Sequence, residues 1–366
     1  MREECNNSAS SLLPGILTKG GRVCGHRCWD VLVVGNGPAG FRLAAQLADA
    51  GQSVLCVGRD RRPRNLLETL PPDTLARVTS PTAVSPCFER TSRWGSAVGI
   101  VRDPILDPGG SHRLVDRDRF DAGLGRHASA CGACIVHGAV GRITRADNIW
   151  SVEVDGSLLN ARLLVDATGR ASHVARQIGV RRVWLDRLTG VANSFVVPGR
   201  RPHAVDIIAA PGGWWYAGPS ICGDSIAIFF TDPDLSEFQA ARCGGLAALA
   251  RQSTALDGWV FDGSKRYYAA ASGWLRQFSG PGWLTIGDAA MCLDPLSASG
   301  VTHALETADL AAAAWLAGDL YGYHLALLSQ LQGYLSARAN VYGRETGFRR
   351  HRFWARRNSE MTHHAS

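Results

Sequence analysis

Apolar residues in this chain fall into short runs punctuated by glycine. Asp30-Val-Leu-Val-Val34 is β-branched and continuous, the pattern of a parallel strand buried on both faces. Gly35-Asn-Gly37-Pro38-Ala39-Gly40 follows. Phe41, Ala44, Ala45, Leu47 and Ala48 then make one apolar surface and predict a helix over 38–50. Gly51 ends it, and Ser53-Val-Leu-Cys-Val57 predicts a second strand. Leu163-Leu-Val-Asp166-Ala-Thr-Gly169 repeats the strand-into-glycine pattern. So does Trp283-Leu-Thr-Ile286-Gly287-Asp288, which continues through a loop shaped by Pro295 and Gly300 into an Ala/Leu-rich helix over about 301–316. Between these, Ala204-Val-Asp-Ile-Ile-Ala209, Gly213-Trp214-Trp215-Tyr216-Ala-Gly-Pro219 and Ser225-Ile-Ala-Ile-Phe-Phe230 read as antiparallel strands of a separate sheet.

Composition adds bounds. A length of 366 residues with 46% hydrophobic content suits two closely joined domains with a sizeable core. No apolar run reaches the ~18 residues of a membrane span. Residues 1–28 are polar and mixed, and Leu12-Leu-Pro-Gly-Ile-Leu17 is too broken for a signal-peptide core, so a disordered lead-in and a cytoplasmic chain are expected. The net charge of +7 is carried by arginine, with Lys19 and Lys265 as the two lysines. Arg344, Arg349, Arg350, His351, Arg352, Arg356 and Arg357 concentrate it late in the chain, as a solvated helix face or a docking surface for an acidic partner. No nucleic-acid motif accompanies the charge. Ten cysteines are scattered. Cys24 with Cys28, and Cys131-Gly-Ala-Cys134, each lack the further ligands that zinc needs, so structural thiols are expected and no metal site.

The first glycine pattern has a physical reading. Gly35 permits a tight turn, Gly37 lets backbone approach a pyrophosphate, and Gly40 lets the helix pack against the strand. The helix start at Pro38 and Ala39 offers N–H groups and partial positive charge to phosphates. The competing reading is a plain β-α-β unit without nucleotide. The acid that grips a ribose belongs at the end of the second strand. Gly58 stands there, and Asp60 is the nearest candidate.

Taken with Gly287-Asp288 and the loop to Gly300, the pattern resembles the two halves of an FAD site of the glutathione-reductase-like fold. The resemblance extends to Asp166-Ala-Thr-Gly169-Arg170 and to Arg117-Asp-Arg-Phe120-Asp121, whose helix Asp116 would cap. It implies that Asp288 accepts a hydrogen bond from a ribityl hydroxyl, that Arg117, Asp166 and Gly169 border the cofactor, and that the helix start after Gly300 stabilises negative charge on the reduced ring.

A second set of segments is more specific. Glu68-Thr-Leu-Pro71-Pro72, Arg90-Thr-Ser-Arg-Trp94-Gly95, Gly213-Trp-Trp-Tyr-Ala-Gly-Pro219, Thr231-Asp-Pro-Asp234 and Asp294-Pro-Leu-Ser297 resemble the tryptophan-halogenase-like flavoproteins. They are most similar to the shorter members, the maturases of quinone cofactors (tryptophylquinone among them) in amine and amino-acid oxidases. Halogenases of that family use a lysine between the glycine loop and the aromatic motif. This chain has none between Lys19 and Lys265, and a permanently protonated arginine is a poor substitute. The halogenase Trp-x-Trp-x-Ile-Pro pattern is also altered: Tyr216 replaces the second Trp, and Gly218 replaces Ile.

The expected fold is α/β: a Rossmann-type FAD domain from 29–62, 112–192 and 272–366, interleaved with an antiparallel β-sheet substrate domain from 63–111 and 193–271. The implied activity is FAD-dependent monooxygenation of a Trp or Tyr side chain on the precursor of a quinone-dependent oxidase. NAD(P)H or a separate reductase would supply electrons. Trp214, Tyr216 and Pro295 are expected to line the reaction site. Glu68 and His112 are acid/base candidates only, and the structural reading of each is the stronger. The alternatives are a small-molecule flavin monooxygenase or reductase, a halogenase, and a flavin-binding chaperone.

Overall fold

The structure, a computed structural model, describes residues 28–59, 67–78, 84–87, 89–95, 100–102, 112–197, 204–220 and 225–363. The central sheet is parallel at its heart. Trp29–Val34 lies between Val54–Gly58 and Ser157–Asp166, with Val31 opposite both Val54 and Leu163. Cys134–His137 extends one side and Trp283–Thr285 the other, both parallel to their neighbours. Alternation along the first strand explains its unbroken apolar run. Val31 and Val33 face a core shared with the helices Pro38–Asp49, Arg117–Ala130 and Gly300–Ala317. Leu32 and Val34 face a second core, roofed by the antiparallel strands Val140–Ala146 and Ile149–Val154.

The second sheet is antiparallel through Thr189–Val196, Ser225–Thr231, Gly213–Pro219 and Ala204–Ala210. Glu89–Arg93 then adds in parallel to Ala204–Ala210. One face packs against the helices Ser236–Gly244 and Leu246–Ala250. The other face looks toward the nucleotide-fold domain and is partly covered by Tyr342, Phe353 and Trp354 from the C-terminal helices Leu320–Gly343 and Arg352–His363. Trp214 and Trp215 are both 1% exposed yet belong to opposite faces, as the two-residue period of a strand requires.

The late arginines divide. Arg357 is 2% exposed and meets Asp232 at 2.8 Å, and Arg356 meets Asp232 at 3.0 Å and Asp234. The Thr231-Asp-Pro-Asp234 segment is thus the acidic anchor of the last helix, so these two arginines are internal structure. Cys134 is disulfide-bonded while Cys131 is free, so the Cys-x-x-Cys does not close on itself. Cys24 lies outside the described residues.

Candidate active site

A cavity of about 370 Å³ runs between the two sheets. At one end it is bordered by Gly37, Pro38 and Ala39, and along its length by Arg117, Gly169, Asp288, Pro295 and Gly300. At the other end stand Trp214, Tyr216, Ile228 and Phe230. Residues expected from two distant parts of the sequence therefore share one space.

The remaining expected residues act behind it. Gly35 has φ +125°, and a Cβ there would lie 2.1 Å from the Ala167 carbonyl oxygen. A Cβ at Gly40 would lie 2.0 Å from the Gly35 oxygen. Both glycines set the turn by backbone approach. Gly287 has φ +57°, is buried, and donates its N–H to Thr307 Oγ1 at 2.8 Å. Asp166 does not border the cavity. Its Oδ1 accepts from Thr168 N and Oγ1 at 2.9 and 2.6 Å, and its Oδ2 from Ala175 N at 2.8 Å. Burial pushes its carboxyl pKa up, and those donors pull it back. It shapes the turn that places Gly169. Asp60 lies outside the described residues. At Gly58 a Cβ would stand 2.2 Å from the Asn36 side chain, which donates to the Arg59 carbonyl at 2.9 Å. The Asn36 side chain occupies the space that a side chain at position 58 would need.

Arg117 is buried at the start of its helix, which Asp116 caps through the N–H groups of Asp118 and Arg119. Its Nη1 reaches both oxygens of Glu68 at 2.7 and 2.8 Å, and Asp121 lies one turn along at 3.3 Å. Burial acts against the charge, but Glu68 and then Asp121 more than offset it, and the guanidinium pKa is raised. Glu68 is thereby committed to Arg117. His112 does not border the cavity. Arg170, passed over as a site candidate in the sequence, does. It donates to the carbonyls of Ala271 and Leu293 at 2.6 and 3.1 Å and lies 3.5 Å from Asp288.

The aromatic wall has its own logic. Trp214 stacks on Phe230 at 4.2 Å. Tyr216 is accommodated by Gly218, where a Cβ would fall 2.7 Å from the Tyr216 hydroxyl. The two departures from the halogenase pattern are thus in contact: the Tyr216 ring lies over the space left by Gly218. Trp94-Gly95 docks behind this wall, on the end of the long helix, with the Trp94 ring edge-on to Trp214 at 6.3 Å. Trp94 Nε1 donates to the Val341 carbonyl at 2.7 Å, and Gly95 N to Glu345 Oε2 at 2.7 Å.

These groups fit FAD. No side chain among the described residues caps the helix Pro38–Asp49, so its first N–H groups remain for phosphate. Arg170 adds positive charge, Asp288 offers an acceptor, and the far end is apolar enough for a flat ring.

Comparison with known proteins agrees. Residues 30–195 match the lycopene cyclase protein family. The chain is 26% identical to the putative FAD-dependent oxidoreductase LodB of Marinomonas mediterranea, over 92% of this chain and 99% of that protein. Its fold is similar to that of QhpG, a peptidyl tryptophan dihydroxylase essential for tryptophylquinone cofactor biogenesis (TM-score 0.74, 24% identity, 90% and 78% of the two chains). It is also similar to that of the myxobacterial chondrochloren halogenase CndH (TM-score 0.74, 22% identity, 93% and 89% of the two chains). The protein is an FAD-dependent oxidoreductase with the fold of the flavin hydroxylases and halogenases. Within that class its resemblance is to the tryptophan-halogenase-like flavoproteins and their quinone-cofactor maturases.

Proposed function

We propose that this protein hydroxylates an aromatic side chain, Trp or Tyr, on a precursor protein during assembly of a quinone cofactor. The observation that carries the reading is the single cavity joining the flavin motifs to the wall of Trp214, Tyr216, Ile228 and Phe230. The similarity to LodB over nearly the whole of both chains and the fold shared with QhpG support it. Bound FAD would supply the activation of dioxygen by a reduced ring. The chain's own residues would do the rest. Gly37, Pro38, Ala39, Arg117 and Asp288 hold the cofactor, Trp214 and Tyr216 orient the acceptor ring, and the buried wall keeps water from the reacting atoms. Pro295 and Gly300 border the same space.

Two features argue against halogenation. No lysine lies between Lys19 and Lys265, and Tyr216 with Gly218 replaces the halogenase pair. Similarity to the menaquinone reductase of Mycobacterium tuberculosis (27% identity, 83% of this chain and 80% of that protein) favours a second reading, a small-molecule monooxygenase or reductase.

The test is a single-turnover reaction. FAD-loaded protein is reduced with one equivalent of dithionite and divided: one portion is mixed with oxygen and a Trp-containing peptide, the other, kept free of oxygen, with a small quinone. The peptide's mass is read afterwards. Gain of one oxygen atom supports the proposal. Reduction of the quinone with no change to the peptide supports the second reading and overturns the first.

A further inference from the structure

The long helix Leu320–Gly343 carries Tyr334, Arg338 and Tyr342 at intervals of four, which places them on one face. All three converge on Asp294, the residue that opens the loop beside the cavity. Tyr334 Oη accepts from Asp294 N at 2.8 Å, Tyr342 Oη donates to Asp294 Oδ2 at 2.8 Å, and Arg338 Nε lies 3.5 Å from the same oxygen. The helix face is anchored beyond Asp294 as well: Arg338 Nη2 meets Asp186 at 2.7 Å. Asp294 in turn caps the next turn through Leu296 N at 3.0 Å. Tyr342 makes one more link, accepting from Trp214 Nε1 at 3.2 Å. The hydroxyl thus bridges the Trp214 indole and Asp294, both of which border the cavity.

Beyond these, the loop is held by its own short-range hydrogen bonds, such as Ser297 Oγ to the Asp294 carbonyl at 2.8 Å, and by Leu296 packing on the aromatic core. Ser297 and Ala298 are exposed, and an added Cβ at Gly300 would meet nothing within 4 Å. Burial, reinforced by Asp294, pushes the Tyr342 hydroxyl well above its ordinary range, so it remains a proton donor.

We infer that Tyr342 is a positioning residue: with Tyr334 and Arg338 it holds the loop 294–300 in fixed relation to the Trp214 indole. The inference goes beyond the hydroxylation reading and does not need it to be true.

Hydrogen-exchange mass spectrometry on FAD-loaded protein tests it. Losing a hydrogen bond to a buried carboxylate raises local opening about ten- to a hundredfold. In Tyr342→Phe, peptides spanning 294–300 therefore exchange faster by that factor, while those spanning 35–40 keep the parent rate. In protein carrying isotope-labelled tryptophan, the Trp214 indole N–H resonance, assigned by its loss in Trp214→Phe, also shifts. Unchanged exchange at 294–300, or acceleration spread evenly along the chain, overturns the inference. Should Tyr342→Phe not fold, Tyr334→Phe removes the acceptor for Asp294 N and must show the same localised acceleration. Neither readout requires turnover, so failure here is distinct from failure of the peptide-oxidation test.

Discussion

The glycine turn at 35–40 and the loop at 294–300 border the same cavity, yet they are held in opposite ways. The turn is fixed by backbone crowding. Cβ atoms at Gly35 and Gly40 would fall within about 2 Å of carbonyl oxygens, one of them on Ala167 of the neighbouring strand segment. The loop is fixed by side chains reaching it from 40 to 48 positions further along the chain, at Tyr334 and Tyr342. Glycine therefore marks both sites for different reasons. In the turn it is a steric necessity. At Gly300 it is a residue with room around it.

The comparison is broken most directly at Gly35. Its φ of +125° and the 2.1 Å approach to Ala167 leave no place for a methyl group. G35A is expected to cost more than about 3 kcal/mol and to yield protein without flavin. Thermal unfolding and the ratio of flavin to protein absorbance check this. A stable, FAD-loaded variant would mean that crowding does not set the turn.

The loop's support is broken at Arg338. Its side chain is 5% exposed and lies between Asp186 and Asp294, whose side chains are 5% and 2% exposed. Arg338→Met leaves two buried carboxylates without their countercharge, at a cost of about 3–5 kcal/mol near neutral pH. The pH dependence has a definite sign. Burial, opposed by Arg338, raises the Asp294 pKa above its ordinary value, so the folded protein holds that proton more tightly than the unfolded chain does. Stability contributed by the protonated acid is present at low pH and is lost as pH rises from about 4 through the raised value. Removing Arg338 raises that value further. Urea unfolding over a pH series should show the smallest loss near pH 4 and a growing loss toward neutrality. A loss independent of pH would point to packing instead of charge.

The same contrast explains what could be read in advance. The strand–glycine–helix turn is dictated within about ten residues, by φ and by close approach, so the sequence displays it. The antiparallel aromatic strand was legible from its bulky aromatic run, closed by Pro219 and set between two strand-like runs. The grip of Tyr334, Arg338 and Tyr342 was not, because it depends on where a helix late in the chain comes to lie. The three residues do stand four apart, but among alanines and leucines that spacing reads as an ordinary helix face. Asp166 shows the converse. It lies in a recognised motif, yet its carboxylate is spent on Thr168 and Ala175 and is not presented to the cavity.

Gly58 tests whether local crowding also explains a departure from the pattern. If Asn36 displaced the ribose acid, restoring the acid alone should fail. G58E is expected to cost about 1–3 kcal/mol from overpacking against Asn36. Combining it with Asn36→Gly should recover most of that loss. A double-mutant cycle read by thermal unfolding measures the coupling, and FAD titration shows whether the restored carboxylate tightens binding. Additive effects would separate the two positions and leave the missing acid without a steric cause.

Gly300 gives the smallest expected effect and the sharpest contrast with Gly35. Its φ is not positive, it opens the helix Gly300–Ala317, and nothing lies within 4 Å of a Cβ built there. G300A should leave stability unchanged or raise it by up to about 1 kcal/mol, because alanine narrows the unfolded ensemble at a helical position. Because Gly300 borders the cavity, FAD affinity provides the second readout. If the free space is simply unused, affinity stays at the parent value while stability holds or rises. If instead affinity falls while stability is kept, the room at Gly300 serves close approach of the cofactor, and the two glycine sites differ in what they exclude: protein backbone at Gly35, ligand at Gly300.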